Sequence, residues 1–213
     1  HLFRGVSMAC VPGNVLPMTK FAWILNVIIK VGLVLLLAHA VLFPDLPQYA
    51  GKGIGSRIVL YPLGVVIVPL VWWIAGAIRG RRGSYPLAAD VLISAPFTID
   101  TLGNALNLFN TVDAWDDIMH FTQWLLLLGG IGVLLRRIVT PRWLLGMFVA
   151  TLGTFIALLW EIAEYWAFLR NSPELQTAYT DTLGDMTLGT LGASLSGLVL
   201  ALTTPKSHHS SAD

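Results

Sequence analysis

Asp116, Asp117 and His120 open one long apolar stretch of this 213-residue chain, Glu161 and Glu164 lie near the end of the next, and Asp181 and Asp185 open the last. A carboxylate at the centre of a bilayer costs roughly 2.5–3.5 kcal/mol on insertion scales, so acids gathered in apolar segments call for water, a metal or a compensating partner. Residues three or four apart share a helix face. Asp116 or Asp117 therefore aligns with His120, Glu161 with Glu164, and Asp181 with Asp185, giving three chelating pairs at similar depth. An oxygen-rich set with one imidazole suits Mg²⁺, Mn²⁺, Ca²⁺, Zn²⁺ or iron, and a divalent ion would offset the repulsion among the acids. The expected ligand set is Asp117, His120, Glu161, Glu164, Asp181 and Asp185, with His120 or Glu164 as general base.

Plainer roles compete for some of these residues. Asp116 and Asp181 stand at expected helix N-termini, where an acid caps free N–H groups and suits the helix dipole; taken alone, both read as caps. Asp100, Asp117, His120, Glu161, Glu164 and Asp185 lie too deep for capping and together read as a functional polar cluster rather than interhelical hydrogen bonding alone. Asp100, Asn104 and Asn107 form a further polar stripe, and Lys30, in the middle of the first apolar stretch, is expected to pair with an acid. His39 reads as an interfacial residue at a helix end. The tryptophans, mostly near the ends of apolar stretches, read as an interfacial belt.

The elements that must hold these groups are apolar helices. Hydrophobic residues make up 55% of the chain and charged residues 12%, with mean hydropathy +0.72, whereas soluble domains carry about 25% charged residues. The fold expected is an all-α polytopic transmembrane bundle of about six spans, near 21–43, 57–78, 87–110, 116–136, 142–169 and 181–203. Residues 1–20 form a poorly defined N-terminal segment, 21–203 the membrane domain and 204–213 a polar tail. Pro62, Pro69 and Pro96 fall within spans and are expected to kink them or restrict their pairing. In the sixth span Asp185, Gly189, Ala193 and Gly197 recur every four residues, with Gly192 and Ser196 beside them. Such a strip places that helix at the centre of the bundle or at a homo-oligomer contact.

Basic residues set the expected orientation. Arg4, Lys20, Arg79, Arg81, Arg82, Arg136, Arg137, Arg142 and Lys206 fall on one side, against Lys52, Arg57 and Arg170 on the other. The excess places both termini in the cytoplasm and the acids toward the outer face. Net charge is only +1, and no basic run interleaved with aromatics is present, which argues against nucleic acid. A single cysteine, Cys10, excludes an internal disulfide framework. No Gly-rich phosphate loop, Gly-x-Ser-x-Gly elbow or His-Glu-x-x-His signature occurs, and serine-type hydrolysis is disfavoured.

Three motifs in order, Asp116-Asp117-Ile118-Met119-His120-Phe121, Trp160-Glu161-Ile162-Ala163-Glu164-Tyr165 and Tyr179-Thr180-Asp181-Thr182-Leu183-Gly184-Asp185, resemble the uncharacterised bacterial inner-membrane proteins of the YjdF-like group. The Asp-x-x-x-His opening is also distantly similar to VanZ-type membrane proteins. The likeness covers roughly residues 90–202 and implies a six-helix protein of the bacterial cytoplasmic membrane. It implies no reaction.

These readings converge on an outward-facing carboxylate and histidine cluster that binds a divalent metal and acts on lipid headgroups. Two other functions fit the same residues. One is a cation- or proton-coupled transporter, with Asp100, Asn104, Asn107, Glu161 and Asp185 as a relay and Lys30 as charge partner. The other is a non-catalytic accessory subunit of a larger membrane complex.

Overall fold

The computed structural model describes residues 15–167, 169–171 and 173–204, so most of the N-terminal segment and of the polar tail lies outside the described residues. The described chain is helical, and no strand occurs among its residues. Six long helices are α1 (Val15–Leu42), α2 (Ile54–Ile78), α3 (Leu87–Ala105), α5 (Trp115–Leu135), α6 (Arg142–Ala167) and α7 (Ala178–Thr203), with a single-turn α4 (Leu108–Thr111) between α3 and α5. Five of these, all but α3 and α4, are long and apolar enough to cross a membrane. Their surfaces are inverted relative to a soluble bundle: Phe21, Ile28, Val34, Leu63, Met147 and Leu198 are exposed, while Asn26, Asp90, Asp100, Glu161 and Asp185 are buried. This is a multi-pass helical membrane bundle.

The third expected span, 87–110, is interrupted. Asn107 takes a left-handed conformation (φ 61°), which ends α3 and starts α4. Asparagine tolerates that region because its short polar side chain bonds locally, and here Asn107 Oδ1 accepts from Asn110 Nδ2 at 2.7 Å. By contrast α2 runs unbroken through Pro62 and Pro69, and α3 through Pro96.

Contacts along the chain fix the topology. Tyr61 meets Asp100 near one end of the α2/α3 pair, and Trp72 meets Tyr85 near the other, so these helices are antiparallel. Helices α5 and α7 run parallel: Ser196 Oγ donates to the Leu125 carbonyl at 2.6 Å, and a Cβ on Gly192 would collide with the Phe121 carbonyl. Helix α6 crosses α7 where Gly146 faces Gly197 and Gly153 faces Ala193. The small-residue strip expected in the sixth span is thus used inside the bundle, which puts α7 at its centre. Trp124 belongs to this core with Leu128, Leu145 and Val149 rather than to an interfacial belt.

Helix α3 is the spine of the other half. It packs against α1, α2 and α5, and two buried ionic knots tie it down. In the first, Lys30 Nζ lies 2.7 Å from Asp90 Oδ2, to which Asn26 Nδ2 donates at 2.9 Å and the Tyr85 hydroxyl at 2.5 Å. Helical side chains lean toward their N-terminus, which carries the Lys30 ammonium down to the start of α3. Burial and the bond to Asp90 hold the Tyr85 phenol protonated well above its ordinary range. In the second knot, Arg57 Nε donates to Asp100 Oδ2 at 2.8 Å and the Tyr61 hydroxyl donates to the same oxygen at 2.8 Å.

The first knot makes a testable demand. Breaking a buried ion pair by removing one partner costs about 3–5 kcal/mol, because the other charge is stranded. Lys30→Met is expected to lower the unfolding midpoint in detergent sharply, and the double variant Lys30→Met, Asp90→Asn to recover most of the loss. Equal destabilisation by both would contradict the assignment.

Candidate metal and polar cavity

At the end of the bundle where α5 and α7 begin and α6 ends, side chains from these helices and the α1–α2 connection enclose a cavity of about 290 Å³. Asp116, His120, Glu161, Glu164, Asp181 and Asp185 line it together with Lys52 and Arg57. At 1.5 Å of rise per residue, His120, Glu161 and Asp185 sit roughly 8–10 Å inside the nearest helix ends, and Glu161 and Asp185 are buried.

The imidazole of His120 is the hub. Its Nε2 lies 3.6 Å from Asp185 Oδ1 and 3.8 Å from Asp116 Oδ1, while its Nδ1 lies 3.9 Å from Glu161 Oε1. Asp116, His120 and Asp185 each offer one ligand atom, and the three atoms fall within 4.8 Å of one another. A cation among them could take three protein ligands and keep positions open for water or substrate, as catalytic sites do. The Glu161 carboxylate is then placed to orient the imidazole from behind through Nδ1, the usual role of an outer carboxylate at a metal-bound histidine.

Close packing holds this geometry. Gly189 lets α7 lie against Trp124 of α5, and Gly192 brings its backbone onto Phe121, the neighbour of His120. Asp185 is one turn before Gly189 on the same face, so the contact that seats α7 also delivers its carboxylate to the imidazole.

Several expected residues fall elsewhere. Asp117 is exposed and does not line the cavity. Burial of Met119 turns α5 so that the i, i+4 partner of His120, Asp116, takes the inward position. Asp116, read from sequence as a cap, lines the cavity beside His120. Asp181 lines the cavity but is itself exposed. Lys30 pairs with an acid, as expected, yet with Asp90 at the opposite end of α3 rather than in this cavity. Asp100 is held by Arg57 and Tyr61, Asn104 donates through Nδ2 to the Asp100 carbonyl, and Asn107 serves the α3–α4 junction. His39 shares a 2.7 Å hydrogen bond with the buried Tyr49.

Sequence reasoning gave Lys52 and Arg57 no role beyond topology. The available signal was Arg57 with Tyr61, four residues apart at the start of an apolar span, where only a facing acid would satisfy both.

Among the described residues, no lysine or arginine lies within ion-pair distance of Asp116, Glu161, Glu164, Asp181 or Asp185. These acids are met by His120, by hydrogen bonds such as those of Glu161 with Thr182 and Glu164 with Trp160, and by Lys52 and Arg57 only at longer range, whereas Asp90 and Asp100 each hold a cation and a tyrosine hydroxyl in direct contact.

Residues 53–206 match the family of predicted membrane proteins DUF2238, and the chain belongs to it. No curated protein and no solved structure matches the chain.

Residues that repel one another for the sake of a site trade stability for function. In metal-free protein kept in chelator, Glu161→Gln and Asp185→Asn are each expected to stabilise the fold, by roughly 0.5–2 kcal/mol. Asp100→Asn should destabilise it, and exposed Asp117→Asn should stay within about 0.5 kcal/mol of wild type. Thermal unfolding of the four variants checks this, and a loss of stability in both Glu161→Gln and Asp185→Asn would show that the cluster is a structural knot.

Proposed function

We propose that this protein binds a divalent cation between Asp116, His120 and Asp185 and uses it for hydrolysis or transfer at the headgroup of a membrane lipid. The observation that carries this reading is the convergence of three ligand atoms from two helices in a cavity that Lys52 and Arg57 also line. The oxygen donors admit Mg²⁺ or Ca²⁺, and the imidazole shifts preference toward Mn²⁺, Zn²⁺ or Fe²⁺. Such an ion lowers the pKa of a bound water and polarises a phosphoryl or carbonyl oxygen. His120, as a ligand, is then unavailable as base, and the role falls to Glu164 on the cavity wall. Glu164 accepts the proton of the attacking water and returns it to the leaving oxygen as the ester bond breaks. Lys52 offsets the negative charge that develops on the headgroup.

The basic residues at the opposite end of the bundle, among them Arg79, Arg82 and Arg136, support an orientation with the cavity outward and both termini cytoplasmic, in the inner membrane of a bacterium. A relay through the protein has less support. Leu33, Leu37 and Val65 pack with Tyr61 and Phe97 in the bundle between the Lys30–Asp90 knot and the cavity, and Asp100 is fully engaged.

Elemental analysis of protein purified without chelator tests the proposal. About one equivalent of a divalent metal is expected in wild type and in Asp117→Asn, falling to background in Asp185→Asn. Glu161→Gln should retain the site with affinity weakened about 10–100-fold. Metal that is absent from wild type and fails to bind on titration would sink the metal reading.

A further inference from the structure

The polar cavity does not end at its acids. It shares Arg57 and Glu164 with a lateral cleft between α2 and α6. That cleft shares Tyr61 and Trp160 with a narrow hollow of about 40 Å³. The hollow in turn shares Phe97 and Leu127 with a long apolar groove of about 730 Å³ between α2 and α5. The four hollows thus adjoin one another in sequence, polar at the cavity end and mostly apolar beyond it, and together they trace a slot.

The fold explains why the slot exists. Helix α2 packs on α3 and leans on α1, while α5 packs on the other flank of α3, so α2 and α5 stand apart with α3 as the floor between them. Gly64 lets the Phe97 ring lie against the α2 backbone, where any side chain would collide with it. Floor and walls are mostly apolar, with Val68, Ile93 and Ile131 joining Phe97 and Leu127 along the groove and Arg79 at the end away from the cavity. From Arg57 to Ala75 along α2 is about 27 Å at 1.5 Å per residue, close to the ~30 Å hydrocarbon thickness of a bilayer.

We infer that the slot holds a single-chain lipid phosphate, with its headgroup in the cavity and its chain along the α2–α5 groove. The inference rests on the metal-dependent headgroup chemistry proposed above and names its substrate class. Charge selects the headgroup, since a cation held by Asp116, His120 and Asp185 would share the cavity with Lys52, and together they would offset the acids there and draw an anionic phosphate; Arg57 is already paired with Asp100. Width selects one chain over two, because the hollow beside Tyr61, Phe97 and Trp160 measures only about 40 Å³. Adjacency selects a lipid over a second copy of the protein: two hollows that share walls in turn lie between the groove and the cavity, and an amphiphile would satisfy both ends at once.

The test is photolabelling of the full chain in phosphatidylcholine nanodiscs with hexadecyl phosphate bearing a mid-chain diazirine, with sites mapped by peptide mass spectrometry and metal content measured on the same samples. Labels are expected on Phe97, Leu127 and Ile131. Unlabelled hexadecyl phosphate should compete roughly tenfold better than hexadecyltrimethylammonium, which has the same tail and the opposite charge. Val71→Trp, at an exposed groove wall, and Ile131→Trp should each reduce labelling severalfold with the unfolding midpoint unchanged. Labels spread evenly over the lipid-facing surfaces of α1, α6 and α7 would overturn the slot, and equal competition by the two amphiphiles would overturn its phosphate preference. A dimer in native mass spectrometry cross-linked through Val71 would give the groove to a second copy and overturn the lipid occupant. Selective labelling in a protein without metal would uphold the slot and remove only the metal reading.

Discussion

A carboxylate inside an apolar bundle has to be compensated, and how each acid in this chain is compensated organises the molecule. Asp90 and Asp100 are each met by one cation and one tyrosine hydroxyl, Lys30 with Tyr85 and Arg57 with Tyr61. Lys30 comes from α1 and Arg57 from α2, so the two knots bind both helices to α3 near its two ends. In this half charge serves position. A buried pair is weak evidence for net stability, yet stranding either partner is costly, and that penalty enforces one arrangement of the three helices.

The other half is assembled on a different principle. Helices α5, α6 and α7 approach through glycine, alanine and serine, with backbone against backbone at Gly146–Gly197 and Gly192–Phe121. Close approach of this kind relies on dispersion and shape and needs no charge. The acids carried by these helices are therefore not committed to holding them together, and they converge at one end around His120 without a lysine or arginine in ion-pair range among the described residues. Glycine packing leaves the carboxylates out of the closest helix contacts.

Much of this was legible in the sequence. Helical spacing brought His120, Glu161, Glu164, Asp181 and Asp185 to one level, and the four-residue strip of small residues marked α7 as central. What could not be read was rotation and partnership. Asp116 and Asp117 are equally good neighbours of His120 by spacing, and only the seating of Met119 in the core decides that Asp116 faces inward. Asp100 and Lys30 looked like members of one pocket because hydropathy reports depth along a span but not which helix lies opposite. The break at Asn107 was hidden because its cause is a single left-handed residue inside an otherwise apolar run.

The two halves meet chiefly where α3 packs on α5, and that asymmetry places both the cavity and the groove. A bundle packed evenly by glycine strips would leave no space between its halves; one held throughout by ionic knots would leave no acid uncommitted. Here Lys52 and Arg57 come from the chain on the knotted side and the acids from the close-packed half, so residues of both halves line one cavity at the seam. Arg57 spans both roles, fixed to Asp100 on one side and bordering the cavity on the other. Because α2 is anchored through α3 rather than through α5 or α6, the seam stays open toward lipid. The same choice of contacts that makes α3 a spine thus leaves a cleft between α2 and α6 that adjoins the acids at Glu164, so the polar cluster is not walled in on the α2 side.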